Sequence, residues 1–276
     1  MFKRLERSWK LIKGSFKLIK ENPSLFLFPL MSSLTFIACI AILLLIFTPA
    51  VLLKLPLEAL IILAILLIMF ISPFIGTFYA VGLSFETGEV LKGKKVSLKR
   101  GVRHALKNIK EVALWAVTLF AINIIQALLR QLVQKYGGGR VGQTIGNSVI
   151  DILLAGWSFA TAFVIPIMAF EDTNPFDSIK KSVQLLKHTW GETLVGYVGA
   201  GSLLWLFLIP LVLLIFIPYI GLFFIPILIL GVIIISFLVQ VFDTVFMTAL
   251  YIYATEKDEK KAEKYFDKDL IAHGFY

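Results

Sequence analysis

The residues best suited to chemistry are polar side chains inside apolar segments. Asp243 lies 13 residues before Glu256, so a helix rising about 1.5 Å per residue places it about 20 Å from that end. Ser236 and Gln240 precede it by seven and three residues, on the same helical face. Polar groups inside a membrane are costly, so they indicate a function. Such a stripe could line a hydrated path or bind a proton or cation; the alternative is a hydrogen-bonded brace between helices.

A regular interval connects this stripe with the rest of the chain. Three glutamates recur at intervals of 85 residues, namely Glu86, Glu171 and Glu256. Subtracting the same interval from Asp243 leads to Ser158, and subtracting it again leads to Pro73. The candidate intramembrane polar site therefore comprises Asp243, Gln240, Ser236 and Ser158.

A second polar group is predicted nearer the outer side of the membrane. Asn123, Gln126 and Arg130 share one face of an apolar segment, and Asp151 begins the next such segment. Because the two segments should form an antiparallel hairpin, Arg130 and Asp151 are expected at similar depth, where pairing reduces the cost of both charges. We favour this structural pair over a ligand site at the same residues.

The sequence lacks the patterns typical of an enzyme or a metal site. Cys39 is the only cysteine, and His104, His188 and His273 have no ligand spacing. No nucleophile with a neighbouring base or pair of carboxylates stands in a plausible pocket. We therefore expect a protein that is not an enzyme, with no catalytic residue, metal or cofactor.

The elements that must position these residues are membrane-spanning helices. The chain is 58% hydrophobic, with a mean hydropathy of +0.87, whereas soluble domains are about half apolar. Six runs reach the roughly 20 residues that cross a bilayer. They cover residues 25–53, 57–85, 112–133, 149–170, 194–217 and 221–254. The sequence thus predicts an all-α, polytopic protein of the cell membrane, with residues 1–276 in a single membrane domain.

Positive charge lies mainly on one side of these predicted spans. Of the 27 lysines and arginines, 23 fall on the side that holds both termini, which the positive-inside rule places in the cytoplasm. Three basic segments have apolar residues at helical spacing, which predicts three interfacial amphipathic helices. The residues expected to contact lipid headgroups are Lys10, Lys99, Arg100, Arg103, Lys180 and Lys181. The net charge of +9 then indicates anionic lipid and no nucleic acid as partner. Alternatively, the apolar stripes pack only on the protein itself.

The three basic segments also indicate an internal repeat. Each opens with Ser, an apolar residue and Lys, beginning at Ser8, Ser97 and Ser178. We predict a triplicated chain whose units are residues 1–88, 89–173 and 174–256, followed by a charged cytoplasmic tail at 257–276. Each unit would contain an interfacial helix, an outward span and an inward span around a pseudo-threefold axis. A homo-oligomer or a membrane protein partner is compatible with this architecture.

Several short motifs resemble those of a known family. They are Ser8-Trp9 with Leu11, Lys13 and Ser15, then Asn22-Pro23, Phe28-Pro29, Gly156-Trp157, Pro166, Phe170-Glu171, Lys181-Ser182 and Trp190-Gly191-Glu192. This set is similar to a family of six-span membrane proteins, widespread in bacteria and archaea, that is described as a domain of unknown function. The resemblance implies an integral membrane protein and supplies no activity or site residue.

Two functions are compatible with these observations. The first is a non-enzymatic transporter or channel-like protein that binds or passes a small ion or a lipid-like molecule, and the intramembrane polar residues favour it. The alternative is a membrane-organising or scaffold protein that acts on anionic lipid through its basic amphipathic helices. The first function predicts sensitivity at Asp243 and Gln240, and the second predicts sensitivity at the surface lysines.

Overall fold

The computed structural model describes residues 2–195, 206–215 and 224–255. Within these ranges the chain is all-α, as predicted, with no strand. Numbered in chain order, the described helices are α1 Phe2–Glu21, α2 Leu27–Leu52, α3 Leu57–Leu91, α4 Leu98–Lys107, α5 Ile109–Tyr136, α6 Arg140–Ala160, α7 Val164–Phe170, α8 Pro175–Val195, α9 Ile209–Ile215 and α10 Phe224–Thr255. A short 3-10 helix, Pro23–Phe26, joins α1 to α2.

Five stretches of the described chain are long and apolar enough to cross a membrane, which indicates a multi-pass membrane protein. They are Pro23–Pro49, Leu57–Leu91, Ile109–Tyr136, Arg140–Phe170 and Phe224–Thr255. Half of the predicted span at 194–217 lies outside the described residues, so the count of six stays a prediction. Glu256 and the tail at 257–276 also lie outside them. The threefold repeat likewise stays a prediction.

The three basic segments are helical and form α1, α4 and α8. Local capping explains where two of them begin. The Ser97 hydroxyl accepts the backbone N–H of Arg100 at 3.4 Å, ahead of α4. Before α8, the Asn174 side chain accepts the N–H of Asp177 at 3.0 Å, and Pro175 fills the first helical position.

The basic helices α4 and α8 pack against the rest of the protein with faces of small residues. Gly101 and Ala105 are buried on α4, and Ser178 and Ser182 are buried on α8. A Cβ added to Gly101 would lie 2.9 Å from the carbonyl oxygen of Gly82 on α3, which shows how closely these two helices cross. Among the larger apolar residues, Leu186 of α8 is buried in the core, whereas Leu106 of α4 and Phe176 of α8 are exposed.

The hydrophobic core lies at one end of the molecule, which we call the inner end. It comprises the last turns of α3 and α10, the first turns of α5, and α4 and α7. Its largest fully buried side chains include Phe28, Phe163, Phe242 and Phe246. Phe16 of α1 stacks on Phe242 with ring centroids 4.7 Å apart, so α1 also packs onto this end.

The opposite, outer end contains the α2–α3 and α5–α6 turns and has little core. Large apolar side chains there face outward, including Leu45 at 74% exposure and Ile152 at 71%. Lipid is as apolar as these side chains, so helices crossing a bilayer lose nothing by exposing them. The two hairpins therefore diverge from a packed inner end.

Candidate functional site

A cavity of about 430 Å³ lies between α5, α6, α7 and α10. Its polar lining consists of Asn123, Gln126, Ser158, Thr161, Asp243 and Thr244. Its apolar lining consists of Leu119, Ile122, Leu154, Trp157, Ala162, Ile165, Pro166 and Met247. Among the described residues of this lining, Asp243 alone is ionisable.

The cavity lies near the middle of two apolar helices. Asp243 stands twelve residues before Thr255, where α10 ends, or about 18 Å along the helix axis at a rise of 1.5 Å per residue. Asn123 stands fourteen residues after Ile109, where α5 begins, or about 21 Å along its axis. The hydrocarbon core of a bilayer is about 30 Å thick. Both side chains thus lie at depths where polar groups are costly.

The apolar stretch Arg140–Phe170 is interrupted beside this cavity. Helix α6 ends at Ala160 and α7 begins at Val164. Pro166 has no N–H, so the carbonyl of Ala162 lacks its helical donor. The backbone bends between the two helices, and Thr161 and Ala162 enter the cavity lining.

Two side-chain hydroxyls bond the backbone at this break. The Thr161 hydroxyl donates to the Trp157 carbonyl at 2.9 Å, and the N–H of Thr161 donates to the same carbonyl at 3.0 Å. The N–H of Phe163 donates to the Ser182 hydroxyl of α8 at 3.1 Å, and both residues are fully buried. Non-helical backbone at membrane depth is tolerated where it is buried or lines a cavity, and broken helices often form substrate sites in transporters.

The structure regroups the polar residues that were predicted from spacing. Asp243 and Ser158 line one cavity, and Asn123 and Gln126 join them there. Ser236 and Gln240 are outside this lining. The Ser236 hydroxyl donates to the main-chain carbonyl of Val232 at 2.7 Å, and the main-chain carbonyl of Gln240 accepts the Thr244 hydroxyl at 2.9 Å.

Arg130 and Asp151 form the pair expected from the hairpin. Arg130 Nη2 lies 2.6 Å from Asp151 Oδ1, at the outer end of the α5–α6 hairpin. The Asp151 side chain is 62% exposed, and neither residue lines the cavity. This pair joins α5 to α6 and is separate from the candidate binding residues.

Two of the recurring glutamates bond the basic helix that follows each of them. Buried Glu86 accepts Arg100 Nε and Nη2, each at 2.7 Å, and the N–H of Ser97 at 2.8 Å. The hydrogen bond to Glu86 raises the pKa of Arg100 above its ordinary value. Glu171 accepts the Tyr251 hydroxyl at 2.8 Å and pairs with Lys181.

These contacts bear on the predicted headgroup residues. Arg100 and Lys181 occupy the same place in their segments, directly after Ser, an apolar residue and Lys, and both bond a glutamate of the protein. Sequence reasoning missed this role. Headgroup contact stays a prediction for Lys10, Lys99, Arg103 and Lys180, of which the last three are exposed.

His104 joins α4 to the end of α7. Its ring stacks on Phe85 with centroids 3.8 Å apart. Nε2 lies 2.8 Å from the carbonyl oxygen of Ala169 and 3.1 Å from Nδ2 of Asn108. Burial lowers the pKa of His104 below its ordinary value. The histidine is therefore a structural contact of the inner end.

The comparisons with known proteins identify a family and give no activity. The model of DUF6159, a family of unknown function, matches residues 59–261. No curated protein and no solved structure matches the chain.

Proposed function

We propose a function that rests on the cavity of this chain, which belongs to DUF6159, a family of unknown function. The protein is a non-enzymatic membrane protein that binds a small ion or a lipid-like molecule in the cavity and passes it through the bilayer. The observation that carries this proposal is the convergence of Asp243, Ser158, Asn123 and Gln126 on one space.

The size and lining of the cavity support ligand binding. Ligand sites typically measure about 300 to 1,000 Å³ and combine apolar walls with a few polar groups. The present cavity, at about 430 Å³, lies in this range and has six polar residues among fourteen. An intramembrane carboxylate is costly to keep, and a bound partner for Asp243 would offset that cost.

The cavity lies between an exposed end and a packed end of the protein, and this position supports passage of a ligand. Toward the outer end, Asn123 is exposed. Toward the inner end, one turn beyond Thr244, the hydroxyls of Ser84 and Thr248 lie 2.8 Å apart and are fully buried between α3 and α10. We propose that the cavity is accessible from the outer half and that passage requires α10 to separate from α3 at this pair.

A flux measurement with a cavity-filling variant tests the proposal. In Leu154→Trp the larger side chain occupies part of the cavity, since Leu154 lines it. Leu153→Trp is the matched control, because Leu153 is 63% exposed and outside the lining. Liposomes containing each protein would be assayed for passage of monovalent cations, small amines and fluorescent lipids.

The expected result is passage of one of these solute classes above protein-free liposomes. Leu154→Trp should reduce that passage about tenfold, which corresponds to about 1.4 kcal/mol, because the larger side chain takes up space that the ligand needs. Leu153→Trp should leave it unchanged. Equal behaviour of the two variants, or no passage of any class by the unmodified protein, contradicts the proposal.

A specific observation favours the second candidate, a membrane-organising protein. Leu106 on α4 and Phe176 on α8 are 56% and 65% exposed beside the exposed Lys99 and Lys180. Such residues would insert into the headgroup region of an anionic leaflet, with both termini in the cytoplasm. Each lysine near an anionic surface contributes roughly 1 kcal/mol.

Charge reversal tests this second candidate. Reversal of Lys99 and Lys180 to Glu should lower the clustering of anionic vesicles that contain the protein. Lys54→Glu, in the outer α2–α3 turn, is the control and should not change it. Undiminished clustering by the double variant would exclude this function.

A further inference from the structure

We infer that the cavity takes a small organic cation, an ammonium compound with an apolar body. This inference rests on the proposed function, because it requires the cavity to be a binding site. It adds the sign of the ligand's charge and the chemical class of its uncharged part. Both follow from the distribution of groups around Asp243.

The charge of the lining favours a cation. Among the described residues of the lining Asp243 alone is ionisable, and none of them is a Lys, Arg or His that would bind an anion. The carboxyl end of α6 and the amino end of α7 both reach the wall, through Ser158 and Ile165, and the partial charges of these two helix ends have opposite sign. Asp243 therefore sets the sign of the described lining, and an anionic ligand would meet this carboxylate without a cationic side chain to offset it.

The volume and composition of the cavity argue against a bare metal ion. Calcium takes six to eight oxygen ligands, and magnesium needs near-octahedral coordination. The cavity offers one carboxylate, two side-chain amides and three hydroxyls, in a space of about 430 Å³. A space of this size is far larger than an ion, and eight of its fourteen lining residues are apolar. A ligand with a hydrocarbon part would fill it and bury the apolar wall.

Trp157 gives the cavity a further group that prefers an ammonium ion. Trp157 lines the cavity, and its ring is stacked with that of buried Trp115 at a centroid distance of 6.2 Å. An indole face attracts cations, and this attraction strengthens when the ammonium is desolvated. Asp243 and Trp157 therefore both favour a positively charged nitrogen, while Leu119, Ile122 and Ile165 suit an alkyl or aryl body.

Three probes of nearly equal shape and different charge test the inference. They are 2-phenylethylamine, which is protonated at pH 7, neutral 2-phenylethanol, and anionic phenylacetate. Dissociation constants would be measured by isothermal titration calorimetry on the full chain in lipid nanodiscs. Empty nanodiscs provide the blank, because all three probes partition into lipid.

The amine should bind at least about tenfold more tightly than the alcohol, and phenylacetate should not bind above the blank. Asp243→Asn keeps the size of the side chain and removes its charge. The affinity for the amine should therefore fall at least about tenfold, while the affinity for the alcohol should not change. Asp151→Asn, the control at the outer ion pair, should bind like the unmodified protein. Should Asp243→Asn not fold, Asp243→Glu keeps the charge and must retain the preference for the amine.

Equal affinity for amine and alcohol in the unmodified protein overturns the inference. An unchanged preference for the amine in Asp243→Asn, or no binding of any probe above the blank, also overturns it. These outcomes are distinct from failure of the proposed function, which the flux comparison of Leu154→Trp with Leu153→Trp decides without reference to charge. Preferred binding of the alcohol would assign the cavity to a neutral lipid-like ligand instead.

Discussion

Two arginine–carboxylate pairs show how differently the two ends of the molecule are built. Glu86 at the inner end is fully buried and accepts three N–H groups, two of them from Arg100. Asp151 at the outer end is 62% exposed and accepts one bond, from Arg130. The same pair of charged groups is thus a fixed junction at one end and an exposed contact at the other. The comparison indicates that the inner end is tightly packed and that the outer end depends less on contacts within the protein.

The cavity lies where these two regions meet. The packed residues of α10 run from Val241 to Ile252, so Asp243 stands at the border of the core. A ligand bound there, as we propose, would be held by the core on one side and would enter from the exposed hairpins on the other. A site deep in the core or wholly in the hairpins would not combine these two properties.

The largest difference in stability between the two ends should appear when each carboxylate is removed in turn. Glu86→Ala removes the acceptor of the Ser97 N–H and of two Arg100 N–H groups, while Arg100 keeps its bond to the Lys95 carbonyl. The loss of hydrogen bonds to a buried carboxylate should cost about 3 kcal/mol. Asp151→Ala should cost at most about 1 kcal/mol, as is usual for exposed pairs. Thermal unfolding in detergent, followed by circular dichroism, measures both. Equal losses for the two variants would show that the ends do not differ as described.

A glycine substitution tests how tightly the inner end is packed. In Gly101→Ala the added Cβ would lie 2.9 Å from the Gly82 carbonyl oxygen and 2.6 Å from the Phe28 ring. Such overpacking costs about 2 kcal/mol. The loss should appear as a lower unfolding temperature, because α4 must move away from α3.

Gly76 provides the matched control on the membrane-spanning part of α3. A Cβ there would meet nothing within 4 Å, and alanine favours a helix over glycine by about 1 kcal/mol. Gly76→Ala should therefore leave the unfolding temperature unchanged or raise it. A loss like that of Gly101→Ala would mean that the packing difference is absent in the membrane.

The apolar helices and the polar site residues were predictable from the sequence for one reason, namely that lipid penalises both loops and polar groups. Runs of apolar residues therefore indicated the spans, and Asp243 and Ser158 stood out within them. Arg130 and Asp151 followed from the geometry of a hairpin, and the structure places them together.

Contacts between distant elements were not predictable from spacing. Asn123 and Gln126 were grouped with Arg130 because they share its helical face, yet they line a cavity with Asp243 of another helix. The run at 149–170 reads as one continuous span, and Pro166 was the only local sign of the break at Thr161. The partners of Glu86 and Phe163 depend on how α4 and α8 fold back, which the spacing of apolar residues does not determine.

The broken helix beside the cavity gives a smaller test of the border between the ends. Ser182→Ala removes the acceptor of the Phe163 N–H, and an unsatisfied buried donor costs about 1 kcal/mol or slightly more. Thr118→Ala is the control, since its exposed hydroxyl bonds only the Leu114 carbonyl of its own helix. Amide hydrogen exchange at 161–165 should quicken in the first variant alone. Unchanged exchange would mean that Ser182 does not hold the break.

The smallest expected effect is a pH dependence that arises at the inner end alone. Burial lowers the pKa of His104 in the folded protein, whereas an unfolded histidine titrates near about 6.5. The unfolded state therefore binds the proton more readily. The contribution of His104 to the free energy of unfolding is constant above about pH 6.5 and falls as the pH decreases toward the lowered pKa. His104 is only half-buried, and this keeps the effect small. Lys107 opposes protonation, while Asp172 and Glu86 favour it.

His104→Gln should remove this contribution, so that the difference in unfolding temperature between pH 7.5 and pH 5.5 becomes smaller than in the unmodified protein. The remaining histidines and carboxylates titrate alike in both proteins, and their contributions cancel in the comparison. Arg130→Gln, which changes only the exposed outer pair, should keep the full pH dependence. If His104→Gln instead retains it, the acid sensitivity arises elsewhere and the burial of His104 does not couple the inner end to pH.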